Sequence, residues 1–325
     1  MPVSRDVLRA AISNDDLVTE LGPEFDSLGT RYSGKVRDNF SRDGRRTIIV
    51  SDRVSAFDRV LGTIPFKGQV LNGLAAYWFG QTKHLVANHV LEVPDAQAME
   101  TIECTPIPVE MVVRGYLTGV SSTSIWTAYA GGARTFCGHS LADGMRKHQR
   151  LPKNLVTPST KAKKGDHDHN VSRAELLEQG VVPAELYDKL EATALAVFGF
   201  GQQLALSRGL LLVDTKYEFG LRPDGELVLI DEMHTPDSSR YWFADSYEKA
   251  MTAGEDPRSL DKEFLRRWLV SEGFRGEGPP PALPDELRIE AATRYIETYE
   301  LVTGKPFVAD TEPPIARLRR VFKVA

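Results

Sequence analysis

The chain has 325 residues, 42% of them hydrophobic and 26% charged, with a formal net charge of −5. That much apolar material builds a sizeable core and excludes general disorder, and the mild acidity excludes a general nucleic-acid binder. Two cysteines, Cys104 and Cys137, give neither a zinc spacing nor a disulfide framework. No apolar run approaches the ~20 residues of a membrane span, and residues 1–16 carry charges where a signal peptide needs its apolar run. The expectation is a reduced, cytoplasmic protein with one large domain or two medium ones.

Residues 4–20 predict a short amphipathic helix. Next comes Tyr32-Ser33-Gly34-Lys35-Val36-Arg37-Asp38. Gly29 to Lys35 fits G-x-x-x-x-G-K, but Val36 stands where a P-loop needs Ser or Thr, and no strand precedes it, so this is not a Walker A motif. Lys35 and Arg37 alternating after a glycine suit either a phosphate-covering turn or an ordinary basic turn. Residues 47–50 form a β-branched run and predict a strand. Ser51-Asp52-Arg53-Val54-Ser55-Ala56-Phe57-Asp58 then predicts a binding loop or a surface turn.

Residues 69–88 carry apolar side chains at helical spacing. Residues 109–113 are a second β-type run, ending in Arg114-Gly115. Residues 138–172 are polar and lack periodicity, as functional or disordered segments do. The run Gly165-Asp166-His167-Asp168-His169-Asn170 within them suggests a metal, yet adjacent residues rarely converge on one ion. Polar recognition of a small anionic substrate is expected there instead. Residues 184–207 predict a long helix, with Leu186, Leu190, Val197, Phe198 and Leu204 near one face and Arg208-Gly209 as its stop. Residues 210–213 begin a strand, Arg222-Pro223-Asp224-Gly225 turns the chain, and residues 226–230 return it as a hairpin. Two helices, 259–270 and 284–302, flank the proline-rich 278–284. Strands and helices mix without regular βαβ alternation, which favours an α+β fold.

The hairpin carries the most chemistry. In Asp214-Thr215-Lys216-Tyr217-Glu218-Phe219 side chains alternate faces, so Asp214, Lys216 and Glu218 share one. A turn centred on Pro223-Asp224 sets Lys216 opposite Asp231 and Glu218 opposite Leu229, bringing Asp231 to the charged face. Two carboxylates beside a lysine suit a magnesium ion that also binds phosphates, and they suit equally a solvated face of cross-strand ion pairs. Arg240 follows in Asp231-Glu232-Met233-His234-Thr235-Pro236-Asp237-Ser238-Ser239-Arg240. Arg114 and Arg240 together can grip a phosphate; each alone reads as a surface ion pair worth ~0–1 kcal/mol.

Six blocks stand in order: SGKVRD, SDRVSAFD, VVRGYLTG, TPSTKA with GDHDHN, VDTKYEFG and DEMHTPDSSR. With them the chain resembles the phosphoribosylaminoimidazole-succinocarboxamide synthase (SAICAR synthetase) family of purine biosynthesis, from about Tyr32 to Trp242. The resemblance implies a two-lobed α+β fold with an ATP cleft between lobes, the first lobe similar to a protein-kinase small lobe. The expected division is residues 1–110, an ATP-binding lobe, residues 111–254, a lobe with the substrate and magnesium sites, and residues 255–325, helices on the body. It implies a ligase that uses ATP and Mg²⁺ to join L-aspartate to carboxyaminoimidazole ribonucleotide (CAIR), and a monomer or homodimer.

By the same resemblance Gly34, Lys35 and Arg37 cover the ATP phosphates, Glu218 and Asp231 bind magnesium, and Lys216 lies near the reacting groups. Arg114 and Arg240 match ribonucleotide-phosphate ligands. The His167–Asp168 pair matches an imidazole contact, with Lys161 nearby. Where many members have a hydroxyl residue after the TG of RGYxTG, this chain has Val120, so Ser121 or Ser122 takes that role. Asp214 and Asp168 are the candidate bases for the aspartate amine, whose pocket is expected within 138–172. A small-molecule kinase and a non-catalytic nucleotide binder are the competing readings.

Overall fold

The computed structural model describes residues 3–57, 59–160, 169–260 and 262–324. The α+β expectation holds: two antiparallel sheets line a cleft, with helices packed on them. Ser4 caps α1 (Arg5–Ser13) by accepting from the Val7 amide at 3.3 Å. The helix stops well short of the predicted residue 20, because Asp15 adopts a left-handed φ of 54° that a helix interior does not hold. Leu17 and Val18 are instead buried from a loop.

The first sheet contains β1 (Thr30–Ser33), β2 (Arg37–Arg42) and β3 (Arg45–Val50). A separate hairpin of β4 (Arg53–Ala56) and β5 (Arg59–Thr63) leads to α2 (Lys67–Gln81). β6 (Val90–Asp95) and β7 (Ala98–Ile102) then complete the sheet in the order β1-β2-β3-β7-β6. The 47–50 run is its centre and is buried on both faces: Ile49 packs with Phe25, Phe40 and Leu318, while Ile48 and Val50 join the main core with Leu71 and Leu74. α2 ends at Gln81, seven residues before the predicted 88, and the hydroxyl of its C-cap Thr82 donates to the Trp78 carbonyl at 2.9 Å and so satisfies a terminal acceptor.

The second sheet is built on β8 (Thr105–Tyr116), which takes in Arg114 and Gly115 beyond the predicted 109–113. α3 (Ile125–Ala130) and a small hairpin, β9 (Thr135–Phe136) with β10 (His139–Ser140), follow. The polar segment 138–172 is less irregular than expected. β11 (Arg150–Val156) and β12 (Ser159–Thr160) pair with β8, and β13 (His169–Asn170) pairs with β12. After α4 (Arg173–Glu178), α5 (Ala184–Ser207) matches the predicted helix at both ends and packs on the sheet.

β14 (Leu210–Leu221) lies between β8 and β15 (Leu227–Ile230), and β16 (Ser239–Phe243) also pairs with it. The β14–β15 register differs from the predicted one by a residue: Glu218 faces Ile230, and Phe219 faces Leu229. Gly225, at φ 86°, adds a bulge residue to the turn, with its amide donating to the Arg222 carbonyl at 2.9 Å. The Arg222 amide then donates to the Glu226 carbonyl at 2.9 Å.

Four helices end the chain: α6 (Ala244–Ala253), α7 (Glu263–Ser271), α8 (Asp285–Thr303) and α9 (Pro314–Phe322), the first and last without predicted counterparts. α8 packs on α1 and α2. Arg317 of α9 reaches the first sheet, where Nε donates to Asp95 Oδ2 at 2.7 Å and Nη2 to Gln97 Oε1 at 2.9 Å. Both members of the Arg317–Asp95 pair are buried. Removing one charge strands the other without water, at a cost of ~3–5 kcal/mol. Arg317→Met should therefore lower the unfolding free energy by about that much in a urea titration with unchanged slope. A loss under ~1 kcal/mol would contradict this account of the pair.

Candidate active site

Between the sheets lies a cavity of about 240 Å³. Its roof is the tip of the β1–β2 hairpin, Gly34-Lys35-Val36, closed by the Gly34 amide donating to the Arg37 carbonyl at 2.7 Å. No helix follows the tip, in keeping with the rejection of a Walker A motif. Arg53 supports it from below: Nε donates to the Lys35 carbonyl at 2.9 Å, Nη2 to Gly34 at 3.1 Å and Nη1 to Asp38 Oδ2 at 3.0 Å. Ser51 adds a hydroxyl bond of 2.8 Å to the Val36 carbonyl. Ser51, Asp52 and Arg53 are buried, so the SDRVSAFD block begins as an internal strut, where a binding loop or surface turn was expected. Asp52 accepts from the Val18 and Gly68 amides and from Gln97, yet burial outweighs these bonds and raises its pKa.

The floor comes from the second sheet. Alternation along β14 places Lys216 and Glu218 at the cleft, while Thr215, Tyr217 and Phe219 are buried behind them. Glu218 stands directly opposite Glu110 of β8, a like-charge pairing that is unfavourable by itself. Lys216 Nζ resolves it, lying 2.8 Å from Glu110 Oε1 and 2.5 Å from Glu218 Oε1. Burial alone would lower the Lys216 pKa; Glu218 and then Glu110 outweigh it and hold the ammonium well above its ordinary value.

Asp231 arrives by a route that alternation did not foresee. Because Ile230 shares the face of Glu218, a continued strand would turn Asp231 toward the Phe219 side. A left-handed φ of 65° breaks the alternation, and Asp231 lines the cavity together with Glu218. Arg37 binds it there, with Nη1 3.1 Å from Asp231 Oδ1 and Nη2 2.5 Å from Glu232 Oε2. Burial raises the Asp231 pKa; Arg37 opposes this, and Glu218 and Glu232 add to it.

A second group sits farther along β14. Asp214 Oδ2 lies 2.5 Å from Arg240 Nη1 and 4.0 Å from Arg114 Nη1. Arg114 Nε also donates to the Thr157 hydroxyl at 2.8 Å. The two predicted arginines are thus brought together by a carboxylate predicted for another task. Ser121 and Ser122 are exposed. The hydroxyl that packs beside this group belongs to Ser124, the buried N-cap of α3. Gly119, at φ 104°, passes so close that a Cβ there would stand 2.4 Å from Ser124 Cβ and 3.7 Å from Arg240 Nη2. Lys161, His167 and Asp168 lie outside the described residues. The segment bearing them departs from Thr160 and returns at His169, which pair with each other, and Thr160 also pairs with Val109 of β8.

Sequence reasoning missed Glu110, Glu232, Ser124 and Asp237. Glu110 had a signal: in 109–113 it shares the Arg114 face of an otherwise apolar strand. Asp237 had none. It binds Lys67 Nζ at 2.8 Å, the Tyr295 hydroxyl at 2.5 Å and Lys262 Nζ at 3.6 Å. Its partners come from α2, α8 and the residue before α7. Burial would raise the Asp237 pKa, but Lys262 and Lys67 hold it below the carboxylate range.

A model of the SAICAR synthetase family matches residues 30–280. The chain is 47% identical over 296 residues to a putative phosphoribosylaminoimidazole-succinocarboxamide synthase 2 of Agrobacterium fabrum, covering 90% of this chain and 94% of that protein. It is 45% identical to the phosphoribosylaminoimidazole-succinocarboxamide synthase of Legionella pneumophila, over 88% of this chain and 91% of that one. Among solved structures it is similar to the SAICAR-synthase of Saccharomyces cerevisiae in complex with SAICAR, with a TM-score of 0.77 and 29% identity over 90% of this chain and 100% of that one.

His89 lines the cavity, is 3% exposed, and its Nε2 has no hydrogen-bond partner among the described residues. Burial, with Arg46 and Arg37 adding to it, takes its pKa from 6.5 down to about 3. Below the unfolded value the unfolded chain binds a proton that the folded chain refuses, so stability is lost as pH falls from about 6.5 toward 3. Between pH 7.5 and 5 this group alone should cost roughly 2 kcal/mol. Urea unfolding of the wild type and His89→Gln at those two pH values should give a smaller loss in the variant. Equal losses would show that His89 titrates alike in both states.

Proposed function

The chain belongs to the SAICAR synthetase family, and on that premise we propose how its cleft serves the family's reaction. The enzyme is an ATP-dependent ligase that joins L-aspartate to the carboxylate of CAIR in purine biosynthesis, giving SAICAR, ADP and phosphate. The observation that carries the assignment of parts is the convergence of Glu218, Asp231 and Arg37 in the cavity beneath the Gly34 hairpin, with Lys216 paired to Glu218.

Nucleotide enters that cavity. Ile102, Cys104, Pro106 and Ile230 form its apolar end and take the base. Lys35 and the hairpin tip close over the phosphates, held in place by Arg53. Glu218 and Asp231 are hard oxygen donors and fit magnesium, which accepts one or two carboxylates and fills its shell with phosphate oxygens and water. Bound there, magnesium would neutralise phosphate charge. Arg37 pairs with Asp231 and Lys216 with Glu218, which orients both carboxylates.

Arg114 and Arg240, splayed from Asp214, take the ribonucleotide phosphate, with Ser124 in the role first given to Ser121 or Ser122. A carboxylate ion-paired with two guanidinium groups orients them and is poorly suited to remove a proton, so Asp214 is a positioning residue in this reading. Asp168, His167 and Lys161 keep the imidazole contacts that the family resemblance gives them. Chemistry sets the order of events. An ionised carboxylate resists attack by an amine, and transfer of the γ-phosphoryl group to CAIR creates an acyl phosphate with a good leaving group. That step needs alignment and charge neutralisation, which Lys35 and Lys216 supply. The amine of aspartate, once deprotonated, displaces the phosphate; Asp168 is the remaining side-chain candidate for that proton.

ADP release should require CAIR, L-aspartate and Mg-ATP together; release without aspartate would favour a kinase. Glu218→Gln and Asp231→Asn should each lower turnover at least ~10²-fold and raise the magnesium concentration needed for half-maximal rate. Near-normal rates in both would remove the metal assignment. Arg240→Ala should mainly raise the KM for CAIR, and a change confined to ATP would contradict its role.

A further inference from the structure

A second cavity, of about 90 Å³, opens beside Arg240. Cations from three separate elements line it: Lys147 from the loop before β11, Arg240 from β16 and Arg267 from α7. Arg240 shares its face of β16 with Trp242, against which His148 packs edge-on at 5.2 Å. His148 is fixed further by Nδ1 at 2.9 Å from the Thr118 hydroxyl. The Gly119 turn passes without a side chain, which leaves the approach to Arg240 open.

One carboxylate sits among these cations. Asp256 Oδ1 lies 2.8 Å from Lys147 Nζ and 2.7 Å from His148 Nε2, and Oδ2 lies 3.9 Å from Arg267 Nη1. The side chain is 47% exposed, so it is no internal strut and can swing to water. Burial would raise its pKa, but Lys147 and His148 outweigh that and take it down to about 2. The other carboxylate nearby, Asp214, is already shared by Arg114 and Arg240. At little more than a third of the volume of the inter-sheet cavity, the space takes a single tetrahedral group and not a nucleotide.

We propose that Asp256 is a resident stand-in anion in this cavity, and that a phosphate monoester held by Arg240 displaces it from Lys147 and Arg267, which then join Arg240 as phosphate ligands. The inference rests on the reading of Arg240 as a ligand of the ribonucleotide phosphate, and it extends that ligand set to residues of the polar 138–172 segment and the C-terminal region. A ligand lacking the phosphate cannot replace the Asp256 charge and leaves the pocket self-neutralised. The displaced contact reduces apparent affinity by the fraction of molecules in which Asp256 is seated.

Calorimetric titration with ribose 5-phosphate tests this through the sign of an effect. Asp256→Asn removes the competitor and should tighten binding about threefold, the scale of an exposed ion pair. A merely structural Asp256 would give weaker or unchanged binding, and either result overturns the proposal. Lys147→Met and Arg267→Met should each weaken binding about tenfold, as loss of a charge-assisted contact does; unchanged affinity in both also overturns it. Inorganic phosphate should bind the wild type more weakly than ribose 5-phosphate, and equal affinity would overturn the assignment to a monoester. Arg240→Met separates the two readings. If it abolishes binding while the other three variants do nothing, only this inference fails. If it too leaves binding intact, the role given to Arg240 fails as well.

Discussion

Glu110 and Glu218 face each other across β8 and β14, and the cleft depends on the ammonium that lies between them. Two half-dried carboxylates side by side repel, and each loses hydration that only a close cation replaces. Lys216 supplies that cation from the same strand as Glu218. Across the cavity Arg37 does the same for Asp231 and Glu232. Each carboxylate of the acidic centre is therefore held in place by a side-chain cation.

The residues between β15 and β16 carry this arrangement from one end of the site to the other. They start at Asp231, tied by Arg37, and lead into Arg240, tied by Asp214. Midway, Asp237 is gripped by Lys67, Tyr295 and Lys262. Lys67 is fully buried, an expensive place for an ammonium that is justified only by a paired and hydrogen-bonded carboxylate. Helices from both ends of the sequence thus fix the spacing between the acidic centre and the arginine pair.

Local patterns were the most legible part of the sequence. Residues 184–207 show apolar periodicity and a stop signal, and α5 matches at both ends. The β14 face holding Lys216 and Glu218 followed from period 2 alone. The β14–β15 register did not, because Gly225 inserts one residue, and a single-residue slip reverses every side chain of a strand. Asp231 reached the cleft despite that error, through a backbone kink that no pattern of residue types announces. The arginine pair was foreseen, but its organiser, Asp214, was expected to move a proton, and the hydroxyl beside it belongs to Ser124. Contacts such as Lys67–Asp237 join residues far apart in the chain and leave no local trace. The family resemblance named the chemistry that spacing alone left open between a metal site and an exposed charged face.

The buried pair of Asp95 and Arg317 joins positions 222 apart. A ribosome adds roughly 5–20 residues per second, so about 10–45 s separate the synthesis of the two partners. Throughout that interval the first sheet holds a carboxylate whose counter-charge does not yet exist. A chain that ended before residue 317 would keep that carboxylate without its counter-charge and could bury it only at the cost of an unpaired ion.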